Sequence, residues 1–171
     1  MGIQRLNHAV LYVSDLARSV AFYSDVLGFR TKLDRGRAAF LQAAGSTNDH
    51  DLGLFEIGAG AGPSQAGRGT VGLYHLAWEV DTLGELRRIA GALSEAGALV
   101  GATDHPTTKA LYGKDPDGIE FEVCWLLPAD LLDTVDQDQA MGLRPLDLER
   151  EIARYGADTK GGIGVSSPVG A

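Results

Sequence analysis

Cysteine is nearly absent. Cys124 stands alone in 171 residues, so no internal disulfide is possible. Positive charge is also short: 15 lysines and arginines against 23 aspartates and glutamates leave a net charge of −8. That balance repels phosphate backbones and anionic bilayers, which argues against nucleic acid or a membrane as partner. The N-terminal "MGIQRLNHAV" lacks an apolar run long enough for a signal or a span, and the cytoplasm is the expected compartment. Nothing in the composition suggests disorder throughout or a coiled coil. The length is sufficient for one domain with a full core, or for two small modules sharing one.

Histidine is scarce as well, with four in the chain, and two of them sit where apolar residues are expected. His8 interrupts "LNHAVLYV" (6–13) and His75 interrupts "GLYHLAWEV" (72–80), 67 positions later. Each run is followed by an amphipathic pattern. In "SDLARSVAFYSDVLGF", Asp15 is placed to cap a helix, Leu16, Val20, Tyr23 and Leu27 fall at helical spacing, and Gly28 is placed to end it. In "DTLGELRRIAGALSEAGAL", Thr82 and Glu85 fit a capping box and Gly97 a C-terminal stop. Shorter candidate strands follow: "AAFLQA" and "DLGLFEIG" in the first half, "ALVGA", "KALYGK" and "IEFEVCW" in the second.

The chain therefore reads as two βαβββ modules, about 5–58 and 72–127, in one domain over 1–127. The Gly/Ala/Pro-rich stretch 59–71 joins them. Residues 128–156 are expected to form an arm with a short helix near Asp147, lying on the modules or on a second subunit, and 157–171 a disordered tail.

Alternation assigns faces. Leu6, His8, Val10 and Tyr12 share one side of the first strand. His75 lies with Leu73, Ala77 and Glu79, opposite Tyr74, Leu76, Trp78 and Val80. Glu120, Glu122 and Cys124 alternate with Ile119, Phe121 and Val123, and parity places His50, Leu52, Leu54 and Glu56 together. A curled sheet would then carry His8, His75, a carboxylate and His50 on its helix-free face. Two imidazoles and a carboxylate form a ligand set for a divalent transition metal, and with open positions they suit non-haem Fe(II).

At "DPDGIEFEV", joined to the repeated strand-histidine pattern, the sequence resembles the vicinal oxygen chelate superfamily: glyoxalases, bleomycin-resistance proteins, fosfomycin-resistance enzymes and type I extradiol dioxygenases. The resemblance covers about residues 5–127. It implies an α+β fold of paired βαβββ modules, cupped, with helices on the convex face and metal ligands at His8, His75 and Glu122. "HDLGLF" resembles the extradiol segment that supplies an acid-base histidine, here His50. "DHPTTKALYGKDPDG" resembles the segment carrying a further histidine and a tyrosine, here His105 and Tyr112.

The activity so implied is extradiol cleavage of a catechol-type aromatic diol with O2, using Fe(II) or alternatively Mn(II), in a homo-oligomer of two or more subunits. His50 would handle the proton near oxygen, and His105 and Tyr112 would orient the substrate oxygens. Two other activities occur in the same superfamily. A glyoxalase- or epimerase-like isomerase would use Glu56 as a fourth ligand with Ni(II), Co(II) or Zn(II), and a resistance-type protein would bind a small molecule without metal.

Overall fold

Asp15 and Thr82 begin helices where the sequence places them. In the computed structural model, which describes residues 2–67, 69–135 and 143–162, the Asp15 carboxylate accepts the Arg18 amide at 2.9 Å, opening α1 (Leu16–Asp25). The Thr82 hydroxyl accepts the Glu85 amide at 3.2 Å, opening α2 (Leu83–Glu95). Both bonds satisfy amides that a helix leaves without an internal partner. The chain divides into two compact units, Met1–Gln65 with Asp115–Ile119 and Ala66–Lys114 with Glu120–Ala171. It first passes from one to the other inside the Gly/Ala/Pro-rich segment, and returns to the first unit for 115–119.

In the first unit, β1 (Ala9–Val13), β2 (Arg30–Asp34), β3 (Ala38–Gln42) and β4 (Leu52–Glu56) form a sheet in the order β1-β4-β3-β2, with β1 parallel to β4 and the other pairs antiparallel. β2, "RTKLD", is exposed along its whole length and has no apolar alternation, which is why the sequence gives no sign of it. One face carries Leu11, Val13, Ala39, Leu41, Leu52 and Leu54, all buried, with Leu16 and Tyr23 of α1. Full burial of each such leucine contributes about 2 kcal/mol. The opposite face carries Val10, Tyr12, Phe40 and Phe55, with no helix of this unit over it.

The "DPDG" turn belongs to this unit and is held by its own side chains. Asp115 accepts the amides of Asp117 and Ile119 at 2.9 and 2.8 Å and the Tyr23 hydroxyl at 3.1 Å. Asp117 accepts the Ser14 amide and an Arg18 guanidinium nitrogen, both at 2.9 Å. Gly118 takes φ 79° there, a conformation that side chains with a Cβ resist.

The second unit repeats the topology. β5 (Leu76–Glu79), β6 (Leu99–His105), β7 (Thr108–Lys114) and β8 (Glu120–Leu126) are ordered β5-β8-β7-β6, again with the first pair parallel, and β9 (Arg144–Pro145) extends the sheet beside β6. Leu83, Leu86, Ile89 and Leu93 of α2 are buried with Leu111, Phe121, Val123 and Trp125. Gly113 lets β7 lie against Phe121, since a Cβ at that position would stand 2.5 Å from the ring.

After a 3-10 helix, Ala129–Thr134, and β9, α3 (Leu148–Tyr155) starts at Asp147, whose side chain accepts the Arg150 amide. α3 packs against α2 of the same unit. Residues 157–162, assigned by sequence to the tail, are tied down: Ala157 O accepts Gly84 N at 2.8 Å, Gly161 N donates to Asp81 O at 2.8 Å, and Gly162 N donates to Leu126 O at 3.1 Å. Residues 163–171 lie outside the described residues.

Candidate active site

His8 and His75 each stand one residue before a strand, β1 and β5, in matching positions of the two repeats. In the first unit the ring centroids of His8 and His50 are 4.6 Å apart, and Phe40 meets the His50 ring edge-on at 5.0 Å. His8 Nδ1 is 2.7 Å from Asn7 Oδ1. An amide oxygen only accepts, so that nitrogen carries the proton and Nε2 keeps its lone pair for a metal or a proton. His50 Nδ1 lies 3.0 Å from Asp49 Oδ2, which likewise leaves Nε2 as the acceptor. The His50 hydrogen bond holds the exposed Asp49 carboxyl below its usual range.

The parity expectation for "HDLGLFE" needs correction. Strict alternation groups His50 with Leu52, Leu54 and Glu56, but the chain bends at Asp51. Asp51 accepts Ala43 N, Ser46 Oγ and Asn48 Nδ2 at 2.8, 2.7 and 2.8 Å, a loop network that ends the pleat. His50 is thereby released to the side of Phe40 and His8. Leu52 and Leu54 are buried on the α1 face, and Glu56, in register with Val13, shares that face. Its carboxylate accepts the Leu16 amide at the start of α1 at 3.0 Å and lies 3.9 Å from Arg37 Nε. It serves as a helix cap, on the opposite side of the sheet from Val10 and Phe40.

In the second unit, β8 and β7 bring the other expected residues together. Glu122 pairs in register with Tyr112 on one side and Ala77 on the other, which places it on the face away from α2. Its Oε2 is 3.1 Å from His75 Nε2, with side-chain exposures of 14% for Glu122 and 24% for His75. Tyr112 lies 6.0 Å from His75 between ring centroids, and its hydroxyl is 3.1 Å from His105 Nε2. Burial, and then the Glu122 charge, push the Tyr112 phenol above its usual range, so it remains a protonated donor.

The ligands expected from the resemblance are thus divided, His8 in one unit and His75 with Glu122 in the other. Within neither unit do the described residues gather three His, Cys, Asp or Glu side chains in a metal-binding group. The donor chemistry of His75 and Glu122 still fits a divalent metal. His75 Nε2 and Glu122 Oε2 are a nitrogen and an oxygen donor 3.1 Å apart on one face, donor types that divalent transition metals take.

Sequence reasoning missed a buried set behind this face: Asp104, Lys109 and Glu151. Lys109 shares the inner parity of "TKALYGK" with the buried Leu111, and a lysine in that register was the available signal.

No helix among the described residues is long and apolar enough to cross a membrane. The family described as Glyoxalase/Bleomycin resistance protein/Dioxygenase superfamily matches residues 5–123. The chain is 34% identical over 118 residues, 69% of its length, to catechol-2,3-dioxygenase of Bacillus subtilis, and 33% identical over 120 residues, 70% of its length, to biphenyl-2,3-diol 1,2-dioxygenase 3 of Rhodococcus globerulus. It spans 40% and 62% of the lengths of those two relatives. A "Probable lactoylglutathione lyase" of Vibrio parahaemolyticus is 29% identical over 131 residues, 72% of this chain and 91% of that one. In fold, the chain matches a glyoxylase/bleomycin resistance protein/dioxygenase domain from Frankia sp. with a TM-score of 0.65 at 24% identity, over 78% of this chain and 99% of the other.

Proposed function

Because the chain belongs to the glyoxalase/bleomycin resistance/dioxygenase superfamily, we propose that it is an extradiol dioxygenase, opening a catechol-type ring beside its two hydroxyls with O2. The observation that carries this reading is the His75–Glu122 and His105–Tyr112 grouping on one helix-free face, while Glu56 is engaged as a helix cap. A fourth-ligand role for Glu56, which the isomerase reading needs, would require it to leave the Leu16 amide.

In this proposal His8, His75 and Glu122 hold one divalent metal, Fe(II) or alternatively Mn(II). When bound, such an ion would supply the electron transfer between diol and dioxygen that no side chain provides. The chain's residues do the rest. Tyr112 donates its phenolic proton to a substrate oxygen, and His105 fixes the orientation of that phenol. His50, with Nδ1 on Asp49 and Nε2 free, takes a diol proton and later returns one near the reacting oxygen. Phe40, edge-on to the His50 ring at 5.0 Å, steadies that imidazole. The carbon–carbon bond next to the diol breaks, and both oxygen atoms enter the product. A small aromatic diol is the proposed partner, in a homo-oligomer.

The test is oxygen uptake by the protein loaded anaerobically with Fe(II), against a panel of catechols. Uptake equimolar with a yellow ring-opened acid supports the reading. No uptake with any diol, together with Ni(II)-dependent isomerisation of a hemithioacetal, would replace it with the isomerase.

A further inference from the structure

The C-terminal helix α3 carries charge to a place where charge is rare. Lys109, Asp104 and Glu151 are 2%, 5% and 1% exposed. Lys109 Nζ is bonded to an Asp104 oxygen and lies 3.2 Å from Glu151 Oε2. Arg150, half in solvent, closes the group at 3.0 Å from Glu151 and 3.4 Å from Asp104. Two positive and two negative charges cancel. An apolar set of similar volume would hold α3 at least as firmly, because removing charges from water costs about what their pairing returns. What the ionic set adds is direction.

Lys109 Nζ also donates to the backbone carbonyl of His105 at 3.3 Å. Asp104 is the preceding residue, and β9 pairs with β6 at Thr103 and Asp104. Leu127 N donates to Thr107 O at 2.9 Å, on the turn that follows. The peptide bearing His105 is therefore gripped from one face of the hairpin while its ring meets the Tyr112 hydroxyl on the other. Residues at a hairpin end open locally unless such contacts hold them, and a side chain is placed only as well as the backbone that carries it.

We infer that Lys109 and Glu151 are positioning residues: the buried ion cluster completed by α3 holds the His105 backbone so that the ring engages Tyr112. Its meaning for turnover rests on the roles proposed above for His105 and Tyr112. Its structural content does not.

The test uses the full chain, metal-free, with 15N-labelled histidine, comparing wild type with Glu151→Gln and with Lys109→Met/Glu151→Leu. Folding is checked by circular dichroism and thermal melting. Tyr112→Phe first identifies the His105 Nε2 resonance by the shift that loss of the hydroxyl causes. In the folded cluster variants that resonance should move to the Tyr112→Phe position. In the Fe(II) protein, kcat should fall about 10-fold or more with KM little changed, and adding Tyr112→Phe to Glu151→Gln should cost little further.

A folded variant that keeps the wild-type His105 resonance overturns the inference. If the apolar double variant fails to fold, the isosteric Glu151→Gln decides. A wild type that takes up no oxygen while the resonance moves as expected would defeat the ring-cleavage reading and leave the positioning role standing.

Discussion

Glu56 and His50 lie close in sequence, and each is a side chain on which the reaction class turns. The structure gives Glu56 a structural occupation, the Leu16 amide at 3.0 Å, and sets the His50 ring beside His8 with its Nδ1 on Asp49. Glu56→Gln should therefore leave metal content and turnover nearly unchanged while lowering stability by about 1 kcal/mol, the typical worth of a charge at a helix N-terminus. His50→Phe should keep metal and diol binding and slow turnover roughly 100-fold or more, the range for a lost general acid or base. Metal analysis and kcat on both variants check this, and a metal-depleted Glu56→Gln beside a fully active His50→Phe would reverse the assignment. Parity predicted His8, His75 and Glu122 on helix-free faces because each lies in or next to a regular strand. It failed for His50 because the Asp51 loop network breaks the pleat one residue before β4.

At the scale of elements, capping residues and helical spacing placed α1 and α2 correctly, since Asp15 and Thr82 act locally and report locally. β2 was illegible because an exposed strand needs no apolar pattern, and β9 because two residues carry none. The "DPDG" turn, read in the sequence as a family mark, also anchors the first unit, because Asp115 holds the turn's amides and receives the buried Tyr23 hydroxyl. Burial, and then the Asp115 charge, raise the Tyr23 phenol well above its usual value. The folded pKa then exceeds the unfolded value of about 10. The stability this bond gives is complete below about pH 10 and declines as pH rises further, because the unfolded phenol ionises first. Tyr23→Phe should cost about 1 to 2 kcal/mol at neutral pH by leaving Asp115 short of a donor, and should flatten the alkaline decline in denaturant titrations. Gly113→Ala, which drives a Cβ into Phe121, should destabilise by about 1 to 3 kcal/mol, seen as a lower midpoint with unchanged secondary structure.

For the whole molecule, the repeated strand-helix order was legible because each module writes its own pattern, and both units have the same strand order. Alternation put His75 and a carboxylate on one face, but the choice of Glu122 and the addition of Tyr112 and His105 came only through resemblance, since cross-strand register leaves no trace in linear spacing. The buried Lys109–Asp104–Glu151 cluster joins residues up to 47 positions apart, beyond the reach of any local pattern. The central claim is that this chain puts both atoms of O2 into an aromatic diol, and the most direct measurement is mass spectrometry of the product formed under 18O2 by the Fe(II) protein. The account predicts two labelled oxygens in a ring-opened acid quenched before exchange, and none when His75→Ala replaces the wild type. A product without label, or a labelled product formed equally well by His75→Ala, would contradict it.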